Sequence, residues 1–264
     1  MEVRLFPNAR RPGVGLKPRR DGQRPFLPQH ARHCPVLEAG SSLGFLVYPP
    51  LSPEESYSIE YSGEGRYQFG YYVNPPGSKE WLPIFSVTVV MPVGGIGTFR
   101  EEVALMTQKP AVTREEALHT MRTFIVPEDL GTPPGGLTLR GAWNFQTPQG
   151  WDSVYTPVFN MIERPIAPML IVRVETDWYM NETEFRYVLQ PGEMLAGGHS
   201  QPIGQVFFVP REEVSMRTCT DEELAAIREA QAEFAREKEA HTVKTSYGMT
   251  FSPHYLRSSR SAKP

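Results

Sequence analysis

The segment Ile166–Pro210, IAPMLIVRVETDWYMNETEFRYVLQPGEMLAGGHSQPIGQVFFVP, decides the fold class. Ile171, Val172 and Val174 are β-branched, and Phe185, Tyr187 and Leu189 alternate with Glu184, Arg186 and Val188. A two-residue period over so short a span predicts half-buried strands rather than a helix. Pro191-Gly192 then marks a turn before the last strand, Val206–Val209. At the centre stand Glu175, Thr176, Asp177 and Trp178, which on an extended strand would place Glu175 and Asp177 on one face and Thr176 and Trp178 on the other.

The same grammar extends in both directions. Strands are predicted at Gly44–Tyr48, Tyr57–Tyr61, Tyr67–Val73, Ile84–Met91 and Phe99–Met106, with Ser62-Gly63-Glu64-Gly65 as a hairpin turn. Leu137–Leu139, Val154–Ile162 and Met169–Val174 continue the series. Two capping boxes, Thr113-Arg-Glu-Glu116 and Thr220-Asp-Glu-Glu223, open helices running to about Phe124 and Ala240, because hydroxyl and carboxylate each satisfy an orphaned amide. The 26 prolines disfavour a helical bundle, since proline lacks the amide donor. The expected fold is therefore mainly β: an antiparallel β-sandwich or jelly roll, with the double-stranded β-helix as a related form and the C-terminal helix at about 220–240 packed on it. The expected organisation is a basic Pro/Gly-rich arm over residues 1–30, one β-rich domain over 31–243 and a basic tail over 244–264.

A net charge of −3 hides an asymmetry: residues 1–32 hold eight Lys or Arg and two acids, and the stretch from Lys244 on is basic without acids. Such arms generally lie back on an acidic body or stay solvated, so neither nucleic acid nor a membrane is expected as a partner. Met1–Arg4 leads into no apolar stretch of signal-peptide length, and Leu82–Val93 falls short of a ~20-residue membrane span. Cys34 and Cys219 are too few for a disulfide scaffold, so the cytoplasm is the expected compartment.

No complete catalytic signature is present. None of the six histidines begins the His-x-Asp/Glu of iron oxygenases, and neither a Gly-x-Ser-x-Gly elbow nor a P-loop occurs. His30, His33 and Cys34 cluster within five residues, and His199 follows two glycines. These four are the ligands that an alternative, metal-dependent oxygenase-like enzyme would use. The sequence otherwise calls for no metal and no cofactor. Aromatic residues crowd the middle of the chain instead. Trp143, Phe145, Trp151 and Trp178, with Glu175 and Asp177 beside them, are the candidate ligand-binding set, because aromatic concave sheets with a few polar groups are a usual place for ligands. The same carboxylates could equally pair with Arg173 or Arg186 on neighbouring strands.

Several of these stretches together resemble an uncharacterised bacterial family defined as a domain of unknown function (DUF6065-like). The likeness runs through His33–Ala39, Gly44, Tyr48-Pro49, Gly136–Leu139, Thr147–Trp151, Val174–Trp178, Phe185–Tyr187, Pro191–Glu193 and the strand ending at Pro210. Ser41-Ser42, Phe45 and Gly204-Gln205 depart from that family's pattern. The resemblance implies a single bacterial domain built mostly from strands, and no activity. By analogy it suggests a non-catalytic accessory to a biosynthetic pathway, holding a peptide or small molecule on its aromatic face as a homo- or heterodimer.

Overall fold

The computed structural model describes residues 1–21, 34–78, 80–91, 100–107, 111–161, 169–244, 246, 248 and 250–261. The chain divides into two compact units, Met1–Arg211 and Glu212–Pro264. In the first unit the elements are β1 (Arg4–Pro7), α1 (Pro35–Ser41), β2 (Phe45–Val47), β3 (Glu55–Gly63), β4 (Arg66–Val73), β5 (Leu82–Val90), β6 (Arg100–Leu105) and α2 (Arg114–Phe124). There follow β7 (Gly136–Arg140), β8 (Trp143–Gln146), β9 (Trp151–Thr156), β10 (Met169–Leu170), β11 (Val172–Val174), β12 (Glu184–Val188), β13 (Glu193–Gly198) and β14 (Gly204–Pro210). The second unit holds α3 (Asp221–Ala240), β15 (Val243–Lys244), β16 (Thr250–Phe251) and α4 (His254–Ser261).

Every strand pairing is antiparallel. The largest sheet runs β13-β3-β4-β5-β6, a second runs β11-β9-β14-β2, a third β10-β12-β7, and β1 pairs with β8. The β3–β4 hairpin turns where the sequence places it: Gly63, Glu64 and Gly65 all take positive φ, which glycine adopts without strain. The alternation of β12 is realised as read, with Phe185, Tyr187 and Leu189 buried. These side chains join Tyr57, Ile59, Phe69 and Phe85 from the large sheet, Tyr155 and Val206 from the second, and Met121 and Phe124 of α2 in one core. Phe124 lies 5.7 Å from the Tyr57 ring and 5.9 Å from that of Phe69, so α2 is stacked into the sheet. Separate antiparallel sheets sharing one core make a mainly β, sandwich-like fold, and among the described residues no sheet closes into a barrel.

Both capping boxes form, at Thr113/Glu116 and Thr220/Glu223. α3 buries none of its residues, and its described helical neighbour is α4. The basic N-terminal segment lies against the β sheets of its own unit. Asn8 is fully buried and donates to the Gly141 carbonyl at 3.0 Å, Arg11 pairs with Glu55 at 2.8 Å, and Arg19 bridges to Leu46. Among the described residues no helix is long and apolar enough to cross a membrane.

Candidate functional site

The Glu175–Trp178 stretch is a turn, not the extended strand expected for it. β11 ends at Val174, and Tyr179 donates its amide to the Glu175 carbonyl at 2.9 Å. The cause is a set of partners remote in sequence. Thr176 is buried, and its hydroxyl meets those of Thr147 at 2.9 Å and Ser153 at 2.7 Å. Asp177 accepts the Gly150 amide at 2.9 Å and an Arg211 N–H at 2.7 Å. The alternation of faces read for an extended chain is thereby lost.

Beneath the turn sits Asp152, on β9 and 2% exposed. It accepts from Arg173 of β11 at 2.6 Å and from Arg211, just beyond β14, at 2.9 and 2.5 Å. Burial opposes its ionisation, but the Arg211 and Arg173 hydrogen bonds outweigh it and hold the carboxyl below its ordinary range. Asp177 is likewise held low, chiefly by Arg211, whose own guanidinium is pushed up by the Asp152 and Asp177 hydrogen bonds. Glu175 stands 3.6 Å from Arg211 and accepts the indole N–H of Trp178 at 2.7 Å. Ion pairing therefore occupies both carboxylates. The partner is Arg211, however, while Arg173 turns to Asp152 and Arg186 to Asp129.

The candidate set thus divides. Glu175, Asp177 and Trp178 share one turn, with Trp151 next to the Gly150 amide that Asp177 holds. Trp178 and Tyr179 are exposed with ring centroids 5.7 Å apart. Trp143 is half-buried: its indole N–H donates to the Gly15 carbonyl at 3.4 Å, and the Lys17 ammonium lies 5.3 Å from its ring. Phe145 points elsewhere, into a cavity of about 380 Å³ between the β1–β8 pair and the β14–β2 edge. Its walls are Phe45, Phe145, Phe207 and Phe208, with Val3 and Leu5 from the first strand's side. Phe208 is 5.6 Å from Phe145 and 6.1 Å from Phe45. Arg20 borders the cavity, its guanidinium 5.4 Å from the Phe45 ring.

Phe45, Phe207, Phe208 and Arg20 were not singled out from sequence. The adjacent Phe207-Phe208 pair was the available signal, since neighbouring strand residues point to opposite faces and one of two must leave the core side. Gly44, which also borders the cavity, has φ +80°, and a Cβ there would collide with the Val206 carbonyl. The strand edge is thus shaped by backbone contact.

A smaller recess of about 150 Å³ lies beside the turn, lined by Tyr155, Thr176, Tyr179, Glu182 and Glu184 among others. Burial raises the Glu184 carboxyl despite Arg140 nearby, and pushes Tyr155 up to about 12. That volume is under the ~300 Å³ of ordinary ligand pockets. Of the oxygenase-type ligands, His30 and His33 lie outside the described residues. Cys34 is half-buried before α1, and His199 places Nδ1 2.6 Å from the Leu51 carbonyl. No protein-family model, curated protein or solved structure matches the chain, so its chemistry stands on its own geometry.

Proposed function

We propose that this is a non-catalytic binding protein that holds the apolar part of a peptide or small molecule in the phenylalanine cavity, as an accessory in a bacterial biosynthetic pathway in the cytoplasm. The observation that carries the reading is the cavity itself. About 380 Å³ walled by Phe45, Phe145, Phe207 and Phe208 falls in the ~300–1,000 Å³ range of ligand sites, and Arg20 supplies one charged group at its border. An aromatic or aliphatic body carrying a carboxylate or sulfonate matches that combination. Membership of the bacterial family that the sequence resembles belongs to the same proposal and adds no activity.

The test titrates the full chain with anilinonaphthalene sulfonate, an anionic arene that fluoresces when buried. Saturable binding is expected, weakened at least ~10-fold by Phe208→Ala, since truncating an aromatic anchor often costs ~2 kcal/mol. Arg20→Gln should weaken it several-fold with little change in melting. Trp178→Ala is the counterpart: the Trp178–Tyr179 pair is an exposed aromatic surface away from the cavity, and loss of binding there alone would move the site to the Glu175–Trp178 turn. Binding indifferent to all three substitutions, or none at all, would overturn the reading.

A further inference from the structure

The second unit has an unusual deficit. Among the residues of this unit whose burial is described none is buried, and α3 meets α4 through the Phe234 and His254 rings, 4.8 Å apart. Small units of this kind generally depend on a staple such as a disulfide or a metal. A disulfide is unavailable, because Cys219 is the unit's one cysteine and is free.

The unit does bring three ligand side chains together. Glu237 and His241 are four residues apart on α3 and so share a face. His254 opens α4 and faces them, its ring stacked 5.9 Å from that of His241 at 19° between planes. One carboxylate oxygen of Glu237 and one nitrogen of each imidazole lie within 4.8 Å of one another. Around a tetrahedral zinc with bonds of about 2.0–2.1 Å, neighbouring ligand atoms are ~3.4 Å apart. The cluster therefore needs to close by no more than ~1.4 Å, a rotamer adjustment for side chains at a surface.

We infer that Glu237, His241 and His254 bind a divalent first-row transition metal ion, zinc foremost, and that the ion ties the end of α3 to the start of α4. Two imidazoles and a carboxylate are a zinc donor set, and water completes the fourth position. His241 also carries the supporting contact such sites use. Its Nδ1 lies 2.9 Å from the Glu237 carbonyl, and in the tautomer donating that N–H, Nε2 keeps its lone pair for the metal. The contrary use of these groups is a plain ion pair, since Nδ1 also stands 3.5 Å from the Glu237 carboxylate. In that arrangement His254 packs on the Phe234 ring at 4.8 Å, whereas a metal uses all three ligand atoms that converge here. Sequence reading missed the cluster because His254 stands far along the chain from the Glu237/His241 pair and no common zinc spacing joins them.

The experiment uses the full chain without an affinity tag, stripped with chelator and then titrated with Zn²⁺ by calorimetry and with Co²⁺ by visible absorption. One ion per chain is expected, with the intense d–d bands of tetrahedral cobalt. His241→Ala and His254→Ala should each weaken binding more than ~10-fold, beyond what loss of an outer hydrogen-bond partner usually does at the lower end. His119→Ala, a histidine outside the cluster, should leave it unchanged. If either alanine variant loses its wild-type circular dichroism, the cobalt bands of Glu237→Gln decide, and they should shift or vanish. Substoichiometric uptake, octahedral cobalt, or a smaller loss in either histidine variant overturns the site.

Discussion

Replacing Asp152 with asparagine removes one charge while keeping the shape of the side chain. The carboxylate is 2% exposed and accepts three charge-assisted hydrogen bonds, from Arg173 Nε at 2.6 Å and from Arg211 Nε and Nη2 at 2.9 and 2.5 Å. Breaking a fully buried pair by removing one partner costs about 3–5 kcal/mol. Here the Arg173 side chain is 51% exposed and that of Arg211 33%, so both guanidinium groups recover water when their acceptor is lost. That discount brings the expected destabilisation to about 2–3 kcal/mol, or about 5–10 °C in melting temperature for a unit of this size.

Differential scanning calorimetry of wild type and Asp152→Asn measures this. A second readout comes from pH. The folded carboxyl is depressed relative to the unfolded chain, so its stabilisation is present above the unfolded value near ~3.9 and is lost as pH falls through the folded one. The gap between the two proteins should therefore be widest at neutral pH and narrow in acid. A variant melting within ~1 °C of wild type at pH 7, or a gap that does not narrow in acid, would refute the argument.

Gly44→Ala should be costly for a single methyl group. It forces a side chain into φ +80° and against the Val206 carbonyl at the β2–β14 pairing, so a loss of at least ~2 kcal/mol is expected in chemical denaturation, and a neutral result would show that the edge yields. Ultraviolet difference titration should find Tyr155 half-ionised at about pH 12. Since burial raises its folded value, the stability it contributes is complete below the ordinary value near ~10 and falls away as pH rises toward the folded one; a difference titration against Tyr155→Phe with its midpoint near ~10 would contradict the burial.

What the sequence made legible was local. The alternation of Phe185, Tyr187 and Leu189, the Gly63-Glu64-Gly65 hairpin and the two Thr-x-x-Glu caps each carry their cause within a few residues, and each formed as read. The Glu175–Trp178 turn did not, because Thr176 and Asp177 answer to Thr147, Gly150, Ser153 and Arg211. α1 escaped notice because seven residues are too few to display a helical period, although Pro35 suits a first helical position. The cavity was visible only through Phe145. Its other walls come from β2 and β14, distant in the chain, and no window of sequence holds them together.

The strand that closes the cavity on one side is held in a two-stranded sheet, by β8. β1 is four residues long, pairs with β8 across most of the first unit's length, and is largely exposed along its own face. The run β3-β4-β5-β6 joins strands that follow one another along the chain, whereas this wall, like the β13–β3 and β14–β2 pairings, closes a long loop, with correspondingly greater loss of chain entropy. A molecule filling the cavity touches Val3 and Leu5 as well as the phenylalanines. Occupancy and attachment of β1 are then two faces of one equilibrium: whatever free energy the guest gains from the docked strand, the strand gains from the guest. A short terminal ribbon would thereby set the affinity of a site whose rings mostly lie elsewhere.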